Sequence, residues 1–213
     1  MNEFCYWFFL RDYDEFPPEL STELYRLRRK TFRERLDWKV ECIDGMEKDQ
    51  FDNENTTYLL GMHNGKLLCG ARFIDSTQPT MMSEIFHEYF EGISGLPTDI
   101  PCCEISRLFL DKERRDSAGL HGLPASKVLF LAMIFYCMKR NYRGMYAVAS
   151  RGMYAIFRHA NWKIEVIQKG LSEKGEVIYY IFMPASMSIV EDIITRDKAS
   201  GWLREMSRHL RHL

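Results

Sequence analysis

The chain lacks the cysteine and histidine patterns that mark metal or disulfide frameworks. It has six cysteines among 213 residues, and none falls in a C-x-x-C pair. Zinc sites and small disulfide scaffolds depend on such spacing, and the histidines are scattered, so no metal site is predicted. The neighbours Cys102 and Cys103 suit a reducing compartment better than an oxidising one.

Long apolar runs and an excess of one charge are also missing. The apolar segment 4–10 is far shorter than the roughly 20 residues of a membrane span. Acidic residues follow it and no basic stretch precedes it, so a signal peptide is not expected. The formal net charge is −1, which gives no general attraction for nucleic acid. We therefore expect a cytoplasmic protein with no membrane span, no nucleic-acid partner and no evident obligate protein partner.

The patterns that are present predict strands followed by alternating strands and helices. Residues 56–63 and 66–74 flank Asn64-Gly65, a strong signal for a two-residue hairpin turn. Further strands are predicted over 4–10, 104–110, 145–149, 162–168 and 176–183. Helices are predicted from a start at 17–19, near 81–90, over 124–139 and 151–160, and in a tail at about 186–213. Residues 39–55 are predicted to form an irregular loop.

This order of elements favours an α/β fold with a mixed, mostly antiparallel sheet flanked by helices. The length of 213 residues suits one domain with a sizeable core. We therefore predict a single domain over 1–213.

A series of charged and aromatic residues stands out between positions 28 and 107. Ionised residues inside apolar strands are unfavourable unless they are paired or bind a ligand. The series consists of Arg28, Phe32 and Trp38, the D-x-x-D pair Asp49 and Asp52, the strand residue Arg72, and the E-x-x-R pair Glu104 and Arg107.

This series resembles the motifs of the acyl-homoserine lactone synthases, the autoinducer synthase family of bacterial quorum sensing. The resemblance covers about residues 20–185 and implies a fold related to the GNAT acetyltransferases. It also implies a reaction between S-adenosylmethionine, a substrate rather than a cofactor, and an acyl chain carried as a thioester on acyl carrier protein. The methionyl amine attacks the thioester, and the carboxylate then closes the lactone and displaces methylthioadenosine. No cofactor is implied.

The resemblance assigns roles to the charged series. Arg28, Phe32 and Trp38 would bind S-adenosylmethionine. The catalytic set would be Asp49, Asp52, Arg72, Glu104 and Arg107, with Glu104 as the general base, directly or through a water. Side chains alternate along a strand, so Glu104 and Arg107 should point to opposite faces. Either a β-bulge re-aims one of them, or only one reaches the site.

The acyl chain and its carrier need separate surfaces. The resemblance and apolar character suggest a pocket lined by Leu108, Phe130, Met133, Ala147, Ala149 and Tyr180. Ala147 stands where family members that make 3-oxo signals often carry threonine, and alanine cannot bond a 3-oxo group, which favours an unsubstituted or otherwise substituted chain. Acyl carrier protein is acidic, so a basic contact is expected, with Arg151, Arg158 and Lys163 as candidates.

Other interpretations stay open at this point. The charges could form surface ion pairs of little energetic value, and Asp52 could cap the turn before Asn55. A GNAT-type acetyltransferase using acetyl-coenzyme A is the main functional alternative. Its pyrophosphate loop would fall at 112–124, where Gly119 and Gly122 have the wrong spacing. A catalytically silent relative is disfavoured because no charged motif residue is lost.

Overall fold

The computed structural model describes residues 6–213, which group into two compact units. The first unit contains the residues up to Phe73 and Arg107–Leu123, and the second contains Ile74–Ser106 and Pro124–Leu213. Residues 4 and 5 of the predicted first strand lie outside the described part. The prediction of a single domain stays a prediction.

The strands of the first unit begin with an antiparallel pair. Strand β1 (Tyr6–Asp12) pairs with β4 (Thr56–His63), which adjoins β5 (Lys66–Asp75). Asn64 and Gly65 join β4 to β5 with φ values of 48° and 74°. Two successive positive φ values are what a type I′ hairpin turn requires, so the predicted hairpin is confirmed. The last part of β6 (Cys103–Leu110) lies beyond β5.

The helical part of the first unit begins with α1 (Pro18–Arg28), which has proline in its first turn. This helix continues as a π-helical segment, Arg29–Arg35. The region predicted as an irregular loop instead contains a small hairpin, β2 (Cys42–Ile43) and β3 (Met46–Glu47). A helix that the sequence did not predict, α3 (Lys112–Ser117), begins after Asp111, whose carboxylate accepts a hydrogen bond from Arg114 N.

The second unit contains the first part of β6 and three more strands, β7 (Gly144–Ser150), β8 (Glu165–Leu171) and β9 (Val177–Pro184). Strand β7 is parallel to β6 and antiparallel to β9, which is antiparallel to β8. Cα partners include Glu104 with Tyr146, Tyr146 with Phe182, and Val148 with Tyr180. These registers fix which side chains share a face of the sheet.

Five helices complete the second unit: α2 (Met81–Glu84), α4 (Ala125–Lys139), α5 (Arg151–His159), α6 (Met187–Thr195) and α7 (Ser200–Leu210). Helix α4 is apolar and buried on most sides, which is typical of a central helix. No helix among residues 6–213 has the length and apolar character to cross a membrane. The predicted α/β class, with mostly antiparallel strand pairs and flanking helices, is confirmed.

One strand begins later than predicted. Strand β8 starts at Glu165 and not at position 162. The Trp162 ring packs 5.7 Å from that of Phe130, and its indole N–H donates to the Pro184 carbonyl at 3.0 Å. Tertiary packing therefore holds Trp162 in the turn before the strand.

Candidate functional site

Six charged side chains form one network within the first unit. The network joins three arginines to three carboxylates, so its formal charge is zero. Its members are Arg28, Glu47, Asp49, Asp52, Arg72 and Arg107. Five of them belong to the predicted series, and Glu47 was missed.

Arg28, the last residue of α1, is the centre of the buried side of this network. Its two terminal nitrogens donate to the two oxygens of Asp52 at 2.6 and 2.9 Å, and its Nε donates to Glu47 at 2.6 Å. The Arg28 side chain is 1% exposed, and those of Glu47 and Asp52 are 0% exposed. The interpretation as surface ion pairs is therefore wrong for these residues.

Arg72 and Arg107 hold the third carboxylate, Asp49. Arg72 donates to both oxygens of Asp49 at 2.5 and 3.1 Å, and its Nη1 also lies 3.1 Å from Asp52. Arg107 donates to Asp49 at 2.7 Å and to Glu47 at 2.9 Å. The Asp49 and Arg107 side chains are 16% and 8% exposed, so they form the accessible corner of the network.

Local hydrogen bonds orient the two aspartates of the D-x-x-D pair. The backbone N–H of Asp49 donates to Asp52 at 2.8 Å, and the hydroxyl of Tyr58 donates to Asp52 at 2.6 Å. The turn before Asn55 is held instead by Asn53, whose side-chain oxygen accepts from Asn55 N. Asp52 is thus a member of the ion network and not the cap of that turn.

Arg107 has an unusual backbone conformation within β6. Its φ of 51° lies in the left-handed region, which non-glycine residues rarely adopt inside a strand. A residue in that conformation interrupts the alternation of side chains, as a β-bulge does. This is the local irregularity that the first alternative for the E-x-x-R pair requires, and a site shared by Glu104 and Arg107 stays a prediction. Such strain is often found at functional sites.

The network shifts the pKa values of its members in opposite directions. Burial raises the pKa of Asp52, but Arg28 and Arg72 outweigh it and hold that pKa well below its usual range. Burial lowers the pKa of Arg28, yet Asp52 and Glu47 raise it further above the ordinary value. Arg107 behaves differently: burial and the charges of Arg72 and Arg28 lower its pKa. An anion placed beside Arg107 would raise this pKa again.

We expect stability to fall in acid because of Asp52. Its folded pKa lies below the unfolded value of about 3.9, so the unfolded chain takes up the proton first as the pH falls. The stabilisation is complete above about pH 5 and is lost progressively as the pH falls below about 4 towards the folded pKa. Urea unfolding between pH 7 and 3 measures the first part of this loss. Tyr58→Phe removes a donor to Asp52 and so moves the folded pKa closer to the unfolded value, which should make the loss smaller and end it at a higher pH; identical profiles would contradict the assignment.

An aromatic pair lies beside the accessible corner. Phe32 is buried, Trp38 is 40% exposed, and their rings stack 5.1 Å apart. The guanidinium of Arg107 lies 5.5 Å from the Phe32 ring centre. Phe32 belongs to the π-helical segment, and its carbonyl accepts from Trp38 N at 2.9 Å. This irregular helix end places the indole over Phe32, and π-helical turns are frequent at functional sites.

Glu104 has its described partners in the second unit. It is 3% exposed, and its two oxygens accept hydrogen bonds from the backbone N–H groups of Met81 and Met82 at 2.9 and 2.7 Å. These are the first two residues of α2, where N–H groups lack partners within the helix. The carboxylate therefore has a fixed position and an anchoring role that the sequence did not suggest.

Tyr180 does not share a face of the sheet with Ala147 and Ala149, two of the other residues predicted to line the acyl pocket. Leu108 belongs to the first unit. Phe130 and Met133 are buried on α4. Ala147 and Ala149 lie on one face of β7, while Tyr180, the partner of Val148, lies on the other. Ala149 lies on the face of the sheet that packs against α5, because its Cα partner Tyr179 stacks on Tyr154 of that helix at 4.7 Å.

The three basic residues predicted to contact a carrier protein are exposed. Arg151 opens α5, and Arg158 lies near its end, with its guanidinium 5.9 Å from the Tyr154 ring centre. Lys163 forms an ion pair with Asp192 at 2.6 Å. A contact through Lys163 would have to compete with that pair.

Sequence reasoning missed Glu47 and Tyr58. Glu47 stands in a polar segment where an acidic residue is usually solvated. The signal that could have found it is Asp44-Gly45, a hairpin turn pair, since a hairpin there directs Glu47 inward. Tyr58 looks like an ordinary strand aromatic, and nothing in the sequence marks its hydroxyl.

Comparisons with known proteins identify the family. The model of the family described as autoinducer synthase matches residues 14–193. An acyl-homoserine-lactone synthase of Serratia liquefaciens is 44% identical over 174 residues, 81% of this chain and 86% of the relative. One from Pectobacterium carotovorum subsp. carotovorum is 41% identical over 184 residues, 85% of this chain and 83% of the relative.

Solved structures agree in fold. The crystal structure of the AHL synthase LasI has a TM-score of 0.76 at 21% identity, over 89% of this chain and 94% of that one. A CoA-dependent acyl-homoserine lactone synthase, BjaI, solved with SAM and isopentyl-CoA, has a TM-score of 0.74 at 22% identity, over 96% of this chain and 90% of that one. An acyl-CoA N-acyltransferase from Pseudomonas aeruginosa has a TM-score of 0.55 at 14% identity, over 85% of this chain and 100% of that one. This bears out the expected likeness in fold to the acetyltransferases. With the family match over most of its length, the chain belongs to the autoinducer synthases and is an acyl-homoserine lactone synthase, an acyltransferase.

Proposed function

We propose that this synthase joins S-adenosylmethionine to an acyl chain delivered by acyl carrier protein. The amide forms first, and lactone closure then releases methylthioadenosine. The observation that carries the proposal is the neutral, buried network of three arginines and three carboxylates with one accessible corner. A network whose inner charges are fully paired is rigid, and its corner offers a carboxylate, a guanidinium and an aromatic face together.

The positive groups of the substrate fit this corner. S-adenosylmethionine carries a sulfonium and an ammonium, which favour carboxylates and aromatic faces. Asp49 is held in place by Arg72 and Arg107, and Trp38 presents an exposed ring. In this proposal Asp49 and Trp38 bind the cationic part of the substrate. Arg28 and Asp52 hold the side chains of the accessible corner in position.

The substrate carboxylate fits Arg107. This arginine is partly accessible, and burial with two nearby arginines lowers its pKa. A carboxylate placed beside it would counter both effects through charge-assisted hydrogen bonds. Holding the substrate carboxylate in a fixed orientation favours its attack on the γ-carbon of the same molecule, because the two reacting groups no longer have to find this arrangement among many conformations.

Glu104 is the proposed proton acceptor. The amine must lose a proton before it can attack the thioester, and a carboxylate at a fixed position can accept it directly or through one water. Two backbone N–H groups hold Glu104 in place, so the carboxylate has the fixed position that this role requires.

Product analysis tests the proposal. Purified protein is incubated with S-adenosylmethionine and a panel of acyl carrier protein thioesters, with a matching panel of acyl-coenzyme A thioesters. We expect an N-acyl homoserine lactone and methylthioadenosine, in equal amounts, by mass spectrometry with the carrier protein panel. Product from the coenzyme A panel alone would refute the carrier protein donor, and no product from either panel would refute the proposed reaction.

A further inference from the structure

The hydroxyl of Tyr180 stands out as a buried polar group. Tyr180 is 2% exposed, and its hydroxyl has no hydrogen-bond partner among residues 6–213. Its ring stacks on Tyr146 at 5.5 Å and packs against Phe90 at 5.8 Å. A buried hydroxyl without a partner lowers stability compared with phenylalanine at the same place. Its presence therefore calls for an explanation outside folding.

This hydroxyl acts only as a neutral donor. Burial, with smaller contributions from Tyr146, Cys102 and Glu104, raises the pKa of Tyr180 well above its usual range. The phenol thus keeps its proton across the range in which enzymes operate. Its surroundings, which include Met82, Phe90 and Cys102, are mostly apolar, and a hydrogen bond is electrostatically stronger in such a medium than in water.

Tyr180 and Glu104 project from the same face of the sheet. Cα partners in adjacent strands share a face, as do residues two apart in one strand. Glu104 pairs with Tyr146, and Val148, two residues further along β7, pairs with Tyr180. One apolar face of the second unit therefore carries a fixed carboxylate, which can accept a proton, and a neutral hydroxyl, which can donate a hydrogen bond.

A substrate that reaches Glu104 must enter this face. Glu104 is as deeply buried as Tyr180, and Met82 contributes both to the anchor of Glu104 and to the cluster around Tyr180. Partly buried residues outside the sheet pack against this cluster, among them Phe86, Ile93 and Leu96. Movement of these residues away from the sheet would bring Glu104 and the Tyr180 hydroxyl into contact with the reacting atoms.

We propose that Tyr180 is a catalytic residue whose hydroxyl donates a hydrogen bond to the carbonyl oxygen of the acyl thioester during amide formation. The assignment rests on the proposed function and differs from the apolar wall predicted for Tyr180. Glu104 takes one proton from the ammonium, and the nitrogen lone pair forms the C–N bond while the carbonyl π pair moves to oxygen. The oxyanion pair then re-forms the carbonyl as the C–S bond breaks with its electron pair going to sulfur, and the second amine proton passes to the thiolate. Tyr180 keeps its proton and stabilises the oxyanion while it exists.

Steady-state kinetics of Tyr180→Phe test this role. The full chain is assayed with S-adenosylmethionine and two acyl thioesters of equal length, one unsubstituted and one 3-oxo. We expect kcat to fall about 100-fold with both, as for loss of one oxyanion donor, while KM changes little. The melting temperature should stay the same or rise, because an unpartnered buried hydroxyl is removed. Tyr179→Phe, the adjacent residue on the opposite face, should keep wild-type kcat.

Each other outcome has a definite meaning. A loss confined to the 3-oxo thioester would place the hydroxyl on the 3-position oxygen and overturn the assignment. A lower melting temperature with unchanged kcat would give Tyr180 a structural role and overturn it too. Absence of product from the wild-type chain in the same assay would refute the proposed function itself, and the role of Tyr180 with it.

Discussion

Arg28→Met is expected to lower the free energy of unfolding by about 3–5 kcal/mol, the usual effect of removing one partner of a buried ion pair. The substitution leaves Asp52 and Glu47 buried without the guanidinium that they share. Methionine fills much of the space of the arginine stem, so the lost packing is small compared with the uncompensated charge. Urea unfolding at pH 7 measures the change.

The adjacent residue provides a matched control for this experiment. Arg29 pairs with Glu34 at 2.8 Å, but their side chains are 42% and 48% exposed. Exposed pairs contribute about 0–1 kcal/mol, so Arg29→Met should be nearly neutral. Similar losses in the two variants would contradict the central place given to Arg28. Arg28→Met should also lower turnover, because the accessible corner loses its support.

Glu104→Gln should reduce kcat by at least about 100-fold, within the range of 10²–10⁴ that a general acid or base contributes. Glutamine has nearly the same shape but cannot accept the proton of the ammonium. It also places an N–H₂ group where Glu104 accepts hydrogen bonds from both Met81 and Met82. We therefore expect a lower melting temperature as well, with the folded state retained at 25 °C.

Circular dichroism and steady-state kinetics separate these two effects. A folded Glu104→Gln protein with a kcat within tenfold of wild type would exclude Glu104 as the base and leave only its anchoring role. Glu84→Gln changes an exposed carboxylate at the end of α2 and should leave both kcat and the melting temperature near the wild-type values. Loss of activity in that control would instead indicate that α2 itself is sensitive to charge.

Local patterns in the sequence predicted most secondary elements because their causes are local. Asn64-Gly65 specifies its hairpin through positive φ values. The apolar run over 124–139 predicts a buried helix, observed as α4 (Ala125–Lys139). The small hairpin of β2 and β3 and the short α3 were missed, since two-residue strands and a six-residue polar helix leave almost no periodic signal.

The sequence by itself determined the family and the types of charged residue at the site, because the motif residues keep a recognisable order along the chain. Only the tertiary structure decided how they are connected. Glu47 becomes a full member of the network because a hairpin turns it towards Arg28 and Arg107. Glu104 is anchored by backbone N–H groups of distant residues, and backbone partners have no sequence signature. The face of Tyr180 follows from strand register, which is set by pairing between strands far apart in the chain and cannot be read from either strand alone.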